Sequence, residues 1–264
     1  MNRRCSGHNW PNLTPSRAAD LVCRKKYHEL HVLKNGPGED FSPALVYGSA
    51  SHDLLKRLYD PMTGLPAGKD VSMLAEIVFG RLQYPDPDDR EADRMRCVGM
   101  VQAYLAQDAD AETTKGVEIY GKMPLLNGDG SGALTLGAKF DRLLVRPAAP
   151  DCLVIRDYKT GRPGPVDMEG ACLMLAIARV GNKNYETAMV EFDWIGRGGL
   201  LERATVTIAE VRPYWPLLKA KAFSVYGAAD FPPQPGEHCM FCPLRTECQP
   251  DVQATVEEID AIFA

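Results

Sequence analysis

The change in hydrophobic periodicity near residue 117 constrains the fold of this chain more than any other feature. Before it, apolar residues recur mostly at helical spacing, and after it apolar and polar residues alternate as they do in strands. A strand meander, a helix and a further strand pair are typical of an α/β or α+β domain. We predict strands near 117–123, 133–146, 152–159, 190–194 and 204–208, and helices at 70–83, 88–108, 166–180 and 211–226, with earlier helices starting at Pro15 and Pro43.

The size and hydropathy of the chain indicate one globular unit. Its 264 residues, 45% of them hydrophobic, can bury one large core, so we expect a single domain over 1–264 with a helical insertion at 54–115. The longest apolar run, Ala171–Ala178, has eight residues, whereas a membrane-spanning helix needs about 20. Because the N-terminus also has no signal-peptide core, we expect a cytoplasmic protein.

The charge of the chain is unevenly distributed. A net charge of -5 excludes a generally basic nucleic-acid coat, but residues 1–34 hold seven Arg or Lys against two Asp or Glu. This basic end is either a surface that faces a polyanion or an ordinary solvated terminus.

Two acidic residues and a lysine lie where the predicted strands 133–146 and 152–159 meet. Side chains alternate along a strand, so Asp157 and Lys159 project from the same face, and a hairpin could bring Asp141 beside them. Two carboxylates this close bind a hard divalent cation, and a lysine on the same face can orient or activate an attacking water. The alternative from these residues alone is an ordinary exposed strand face.

The sequence around these residues resembles a known nuclease family. Gly137–Arg142 and Ile155–Gly161 are similar to the G-x-x-x-D-R and D-Y-K-T-G motifs of RecB-type PD-(D/E)xK nucleases. Upstream, Gly48–His52 resembles their helical G-x-x-x-H motif. The resemblance implies a restriction-endonuclease-like core, with a central mixed sheet flanked by helices, and DNA as the substrate.

The same resemblance assigns roles to individual residues. It implies that His52, Asp141 and Asp157 bind Mn²⁺ or Mg²⁺, and that Lys159 acts with the two acids in catalysis. A nitrogen ligand in the set favours Mn²⁺. Two further candidate site residues are Glu118, at an acidic position seen in many relatives, and Tyr158.

A cysteine cluster near the C-terminus predicts a second metal centre. Cys239, Cys242 and Cys248 provide three thiolates within ten residues, one short of a tetrahedral set. Resemblance to the iron-sulfur RecB-type nucleases, CRISPR-associated and phage-encoded members among them, implies that Cys23, expected on the N-terminal helix, is the fourth ligand. The implied cofactor is a 4Fe-4S cluster that joins 13–27 and 231–250 into an iron-sulfur subdomain.

Other interpretations of the cysteines stay open at this point. The same four residues could hold a structural zinc ion, or could be reduced thiols without a metal. Cys5 and His238 are candidate substitute ligands because of their positions in the sequence. The other cysteines, Cys97, Cys152 and Cys172, have no spaced partner and are expected to be ordinary core residues.

One stretch departs from the family pattern. Relatives carry a Q-x-x-x-Y signature on the helix after the D-Y-K strand, where this chain has the apolar Ala171–Leu175. The sequence also contains no G-x-x-x-x-G-K-[ST] phosphate loop, which predicts that the protein does not unwind duplex DNA by itself.

Two hypotheses about function follow from the sequence. The first is a metal-dependent DNA exonuclease acting on single strands or free ends, and the second is an iron-sulfur DNA-binding adaptor, with weak or no cleavage, in a complex with DNA-processing proteins.

Overall fold

A computed structural model of the chain describes most residues between 12 and 248. The described residues are 12–35, 43–62, 70–82, 84, 86–107, 112–126, 133–226, 228, 230–236, 238–239, 242–244 and 248. Cys5, a candidate substitute ligand, lies outside these ranges. Within them, no helix is both long enough and apolar enough to cross a membrane.

Eight α-helices are found in these ranges. They are α1 Pro15–Ala18, α2 Arg24–Tyr27, α3 Pro43–Tyr59, α4 Val71–Phe79, α5 Pro87–Gln107, α6 Met168–Gly181, α7 Ile208–Val211 and α8 Tyr214–Tyr226. A 3₁₀ turn at Ala19–Val22 and a π-helical stretch at His28–Leu33 flank α2. Side-chain caps fix two helix starts: Asp70 accepts from the Ser72 N–H at 2.8 Å, and Asp167 accepts from the Gly170 N–H at 2.8 Å.

The strands form one mixed sheet in the order β1-β2-β3-β4-β5. They are β1 Thr113–Leu126, β2 Ala133–Arg146, β3 Ala149–Lys159, β4 Thr187–Gly196 and β5 Gly199–Thr207. β3 and β4 run parallel, and the other neighbours are antiparallel. Parallel neighbours need a crossover connection, and α6 provides it. The sequence therefore predicted the mixed sheet with its flanking helices, and β2 with the bounds found.

The buried apolar residues form two clusters. The larger one joins β2 to β5 with α6, α8 and the N-terminal segment, and it includes all of Ala171–Leu175, each at most 4% exposed. The smaller one joins α3, α4 and α5 and reaches the sheet through Tyr158 and Ile195. The helices before the sheet thus have a core of their own, and the apolar stretch of α6 is fully used in packing.

Two local predictions were wrong. Cys23 is not on a helix, because its backbone is extended (φ -133°, ψ 115°) between the 3₁₀ turn and α2. Strand β1 begins at Thr113 and not near 117, so the last three residues of the predicted 54–115 insertion belong to the sheet. A β-bulge between Thr114 and Gly116 explains the second error, because it interrupts the alternation that reveals a strand in the sequence.

Candidate active site

The antiparallel pairing of β2 and β3 brings the two predicted acids together. Arg142 pairs with Arg156, Asp141 lies one residue before the first, and Asp157 lies one residue after the second. Both carboxylates are therefore carried to the same end of the strand pair. The Asp141 carboxylate is held in place there, since its Oδ2 accepts a hydrogen bond from the backbone N–H of Tyr158 at 2.9 Å.

Helix α3 brings His52 to this strand end. Its Nδ1 lies 3.3 Å from Asp141 Oδ2. Gly48, one turn earlier on the helix, makes the approach possible because a Cβ there would lie 3.3 Å from the hydroxyl of Thr160, just past β3. The glycine of the G-x-x-x-H motif thus permits close packing, and the histidine is the candidate metal ligand.

Glu118 completes a compact group of donors. Val117 pairs with Arg142 and Ile119 with Phe140, so Glu118 lies across from Asp141 between β1 and β2. Its φ of 53° is in the left-handed region, a conformation that costs a non-glycine residue on the order of 1–3 kcal/mol and that clusters at functional sites.

One nitrogen of His52 and one carboxylate oxygen each of Glu118 and Asp141 lie within 4.8 Å of one another. Carboxylate oxygens are the donors that Mg²⁺ and Mn²⁺ prefer, and an imidazole nitrogen is a donor for transition-metal ions. The chemistry of this set therefore fits a divalent cation.

Asp157 stands beside this group and is paired with Lys159. Lys159 Nζ lies 2.6 Å from Asp157 Oδ2, and the lysine side chain is 47% exposed. Burial raises the pKa of Asp157, the charge of Lys159 opposes this, and the charge of Asp141 adds to it. The structure thus brings together every predicted ligand but places Glu118, and not Asp157, in the tightest group.

The electrostatics of His52 reflect the surrounding carboxylates. Burial lowers the pKa of its imidazole, but the hydrogen bond and charge of Asp141, with the charges of Asp157 and Glu118, outweigh burial, so the pKa lies above its usual value. A site that draws a proton onto a half-buried imidazole also attracts a metal cation. Tyr158, the other candidate, has its ring buried edge-on against His52 at a centroid distance of 6.2 Å. Its contribution is the backbone N–H, because its hydroxyl is buried.

An open cavity of about 500 Å³ leads to these residues. It is lined by Leu45, Gly48, Ser49, His52, Asp53, Lys56, Glu118, Lys139 and Thr160. Two of its lysines were missed by the sequence analysis. Lys56 follows His52 by one helical turn and Lys139 precedes Asp141 by two strand positions, so helix and strand periodicity from the known ligands could have found both.

Comparison with protein families decides the identity of the fold. The model of the family described as the PD-(D/E)XK nuclease superfamily matches residues 12–249. The chain belongs to the PD-(D/E)XK nuclease superfamily. This confirms the restriction-endonuclease-like fold that the motifs predicted.

Two solved structures are similar to this superfamily member. One is the crystal structure of a "Putative exonuclease" from Eubacterium rectale, with 11% identity, a TM-score of 0.56, and coverage of 96% of this chain and 93% of the other. The other is SSO0001, with 10% identity, a TM-score of 0.38, and coverage of 90% and 86%. At these identities the first likeness shows the fold alone, and the second carries no argument. No curated protein sequence is significantly similar to this chain.

Behind the nuclease site, arginines next to the two acids enter a buried ionic network. Arg156 is fully buried and donates to Glu112 at 2.7 and 2.9 Å and to Glu191 at 2.7 Å, while its Nε lies 3.3 Å from Asp193. Arg142 is 3.0 Å from Glu112. Nothing in the sequence pattern indicated this network, because its carboxylates come from two segments far apart in the sequence, Glu112 before β1 and Glu191 and Asp193 on β4.

The four predicted cysteine ligands line one further cavity. Cys23, Cys239, Cys242 and Cys248 surround it together with His238. Two contacts bring the chain ends together: the Arg24 N–H donates to Gln234 Oε1 at 2.9 Å, and the rings of His28 and Phe231 stack at 3.9 Å.

The positions of the cysteine sulfurs and of the His238 imidazole bear on which metal group the cavity fits. Within the described ranges no three cysteine sulfurs lie within 4.8 Å of one another. A single zinc ion with bonds of about 2.3 Å would hold them roughly 3.8 Å apart. A four-iron cluster holds its thiolates further apart, because each binds a different iron. The Nε2 of His238 is buried without a hydrogen-bond partner among the described atoms, so a polar group in the cavity would satisfy it.

Proposed function

We propose that this nuclease is a divalent-metal-dependent DNA exonuclease. The observation that carries the proposal is the compact group of His52, Glu118 and Asp141, whose donor atoms lie within 4.8 Å, beside the Asp157–Lys159 pair. These acids and the histidine would hold Mn²⁺ or Mg²⁺, with Mn²⁺ favoured by the imidazole. The bound ion supplies Lewis-acid polarisation of a phosphodiester oxygen.

The chain's own residues supply the remaining chemistry. The Asp157 carboxylate forms an ion pair with the Lys159 ammonium at 2.6 Å and thus holds the ammonium at the site. From there Lys159 orients the attacking water and neutralises charge that builds up on the phosphate during in-line displacement. The Tyr158 N–H fixes the Asp141 carboxylate, so that both acids keep their positions when the substrate enters.

The proposed substrate is single-stranded DNA or a frayed end. The cavity is open to solvent and carries the ammonium groups of Lys56 and Lys139, which suit a flexible phosphate backbone. The sequence has no phosphate-loop motif for an ATPase. Supply of free strands by other DNA-processing proteins is therefore part of the proposal.

We also propose that Cys23, Cys239, Cys242 and Cys248 hold a 4Fe-4S cluster. The cavity that all four residues line supports it. Cross-linking both ends of a loop of about 200 residues contributes on the order of 5 kcal/mol in the loop-closure model. None of the seven described cysteines forms a disulfide. A cytoplasmic location, where thiols stay reduced, is part of the same proposal.

A second function is favoured by one specific observation. The stretch Ala171–Leu175, where relatives carry polar DNA-contacting residues, is buried in the core and offers no polar contact. An adaptor that binds DNA ends without cutting them would not need those contacts.

One digestion experiment separates the two functions. Anaerobically purified protein is incubated with end-labelled linear single-stranded DNA, with linear duplex and with closed circular single-stranded DNA, in Mn²⁺, Mg²⁺ or chelator. The exonuclease proposal expects metal-dependent loss of the linear strand while the circle survives. Cutting of the circle would indicate an endonuclease, and binding without any cleavage would support the adaptor.

A further inference from the structure

Lys139 and Glu118 form an ion pair at the mouth of the active-site cavity. The lysine side chain is 59% exposed and the glutamate side chain 14% exposed, so the carboxylate lies inside and the ammonium outside. Lys139 lies on β2 two residues before Asp141, and Glu118 is a member of the candidate metal-binding group. The same carboxylate is therefore shared between a lysine and the proposed cation.

Each acid of the site has its own cationic partner in this structure. Lys159 pairs with Asp157 and His52 contacts Asp141, which leaves Lys139 as the partner of Glu118. A divalent cation at Glu118 would add two positive charges next to the Lys139 ammonium. Like charges at ion-pair distance repel, so the cation and the ammonium compete for the same carboxylate.

We propose that Lys139 is an exchangeable counterion, which neutralises Glu118 when no divalent ion is bound and contacts a DNA phosphate when one is. The inference rests on the proposed function and adds to it a coupling between metal binding and DNA binding. Lys56, on α3 in the same cavity lining, provides a second phosphate contact.

The proposal predicts that Lys139→Ala has opposite effects on Mn²⁺ affinity and on DNA affinity. Without DNA, removal of the competing ammonium tightens Mn²⁺ binding about two- to fivefold, the size expected for an exposed ion pair. With metal present, loss of a phosphate contact weakens binding of single-stranded DNA and lowers the slope of log affinity against log salt concentration by about 0.7. A residue with only a structural role would weaken both.

The test uses the full chain and two binding measurements. Mn²⁺ affinity is measured by electron paramagnetic resonance, and affinity for a fluorescein-labelled single-stranded oligonucleotide by anisotropy with and without Ca²⁺. Lys122→Ala is the matched control, because Lys122 is an exposed lysine on the neighbouring strand β1 that does not line the cavity. Lys139→Arg keeps the charge and should restore both affinities towards wild type.

Three results decide the matter. Tighter Mn²⁺ binding by Lys139→Ala than by Lys122→Ala, together with loss of the Ca²⁺-induced gain in DNA affinity, supports the exchange. Unchanged or weaker Mn²⁺ binding by Lys139→Ala, in a wild-type background that binds Mn²⁺ and cuts DNA, overturns the exchange alone. Absence of Mn²⁺ binding by the wild type would overturn the proposed function as well.

Discussion

Removal of the Arg156 side chain should destabilise the fold strongly, because its charge is buried among carboxylates. Its side chain is fully buried and makes three hydrogen bonds to the carboxylates of Glu112 and Glu191. Hydrogen bonds to charged groups contribute about 1.5–3 kcal/mol each. The cost of burying the guanidinium offsets part of that sum, so loss of one partner from such a network costs about 3–5 kcal/mol.

The perturbation is Arg156→Met, which keeps most of the side-chain length and removes the charge. At roughly 2–4 °C per kcal/mol, the thermal midpoint should fall by about 6–20 °C. Urea unfolding followed by circular dichroism checks the same difference with an independent perturbant. Arg156→Lys should lie between, because it keeps the charge but cannot bridge two carboxylates with a planar fork.

Arg94→Met is the matched control for this measurement. Arg94 lies on α5 and pairs with the exposed Glu91, so its loss should shift the midpoint only slightly. If the free energy of unfolding of Arg156→Met lies within about 1 kcal/mol of the wild-type value, the network does not stabilise the fold, since breaking a buried pair should cost about 3–5 kcal/mol.

Three further predictions concern the helix, the cysteines and DNA binding. Gly48→Ala should slow cleavage about two- to tenfold by pushing α3 away from Thr160. The thermal midpoint should hold or rise, because alanine favours helices over glycine by about 1 kcal/mol. An undiminished cleavage rate would show that the close approach of α3 to Thr160 is not required. Iron content should fall on serine substitution of each of the four cluster cysteines, but not of two buried control cysteines. Full iron retention in Cys23→Ser would move the fourth ligand to Cys5 or His238, whereas one zinc per chain would replace the cluster. The variants are Cys23→Ser, Cys239→Ser, Cys242→Ser and Cys248→Ser, with Cys97→Ser and Cys172→Ser as controls. Affinity for single-stranded DNA should fall steeply with salt, with a slope of about 0.7 per phosphate contact, and no binding at low salt would count against both proposed functions.

The sequence predicted the sheet and the convergence of the acids because both depend on local rules. Strand alternation placed Asp157 and Lys159 on one face, and the short connection between β2 and β3 carried Asp141 to them. The G-x-x-x-H spacing located His52 on a helix, as the structure has it. These features need only periodicity and short connections.

Other features depend on distant parts of the chain and could not be predicted in that way. Glu118 enters the metal-binding group through a left-handed backbone at a strand position, which no periodicity encodes. Cys23 was expected on a helix, but the chain unwinds for one residue there. The Arg156 network was missed because its partners come from β4 and from residues before β1.

Cleavage by Asp141→Ala, compared with Asp53→Asn, tests the central claim most directly. Asp141 belongs to the proposed metal-binding group, whereas Asp53 lines the neighbouring cavity and pairs with Arg57 at 3.0 Å. On end-labelled single-stranded DNA with Mn²⁺, we expect Asp141→Ala to lose all metal-dependent cleavage and keep the wild-type circular dichroism spectrum, while Asp53→Asn stays close to the wild-type rate. Digestion by folded Asp141→Ala at the wild-type rate would contradict the assignment of this site as the catalytic centre.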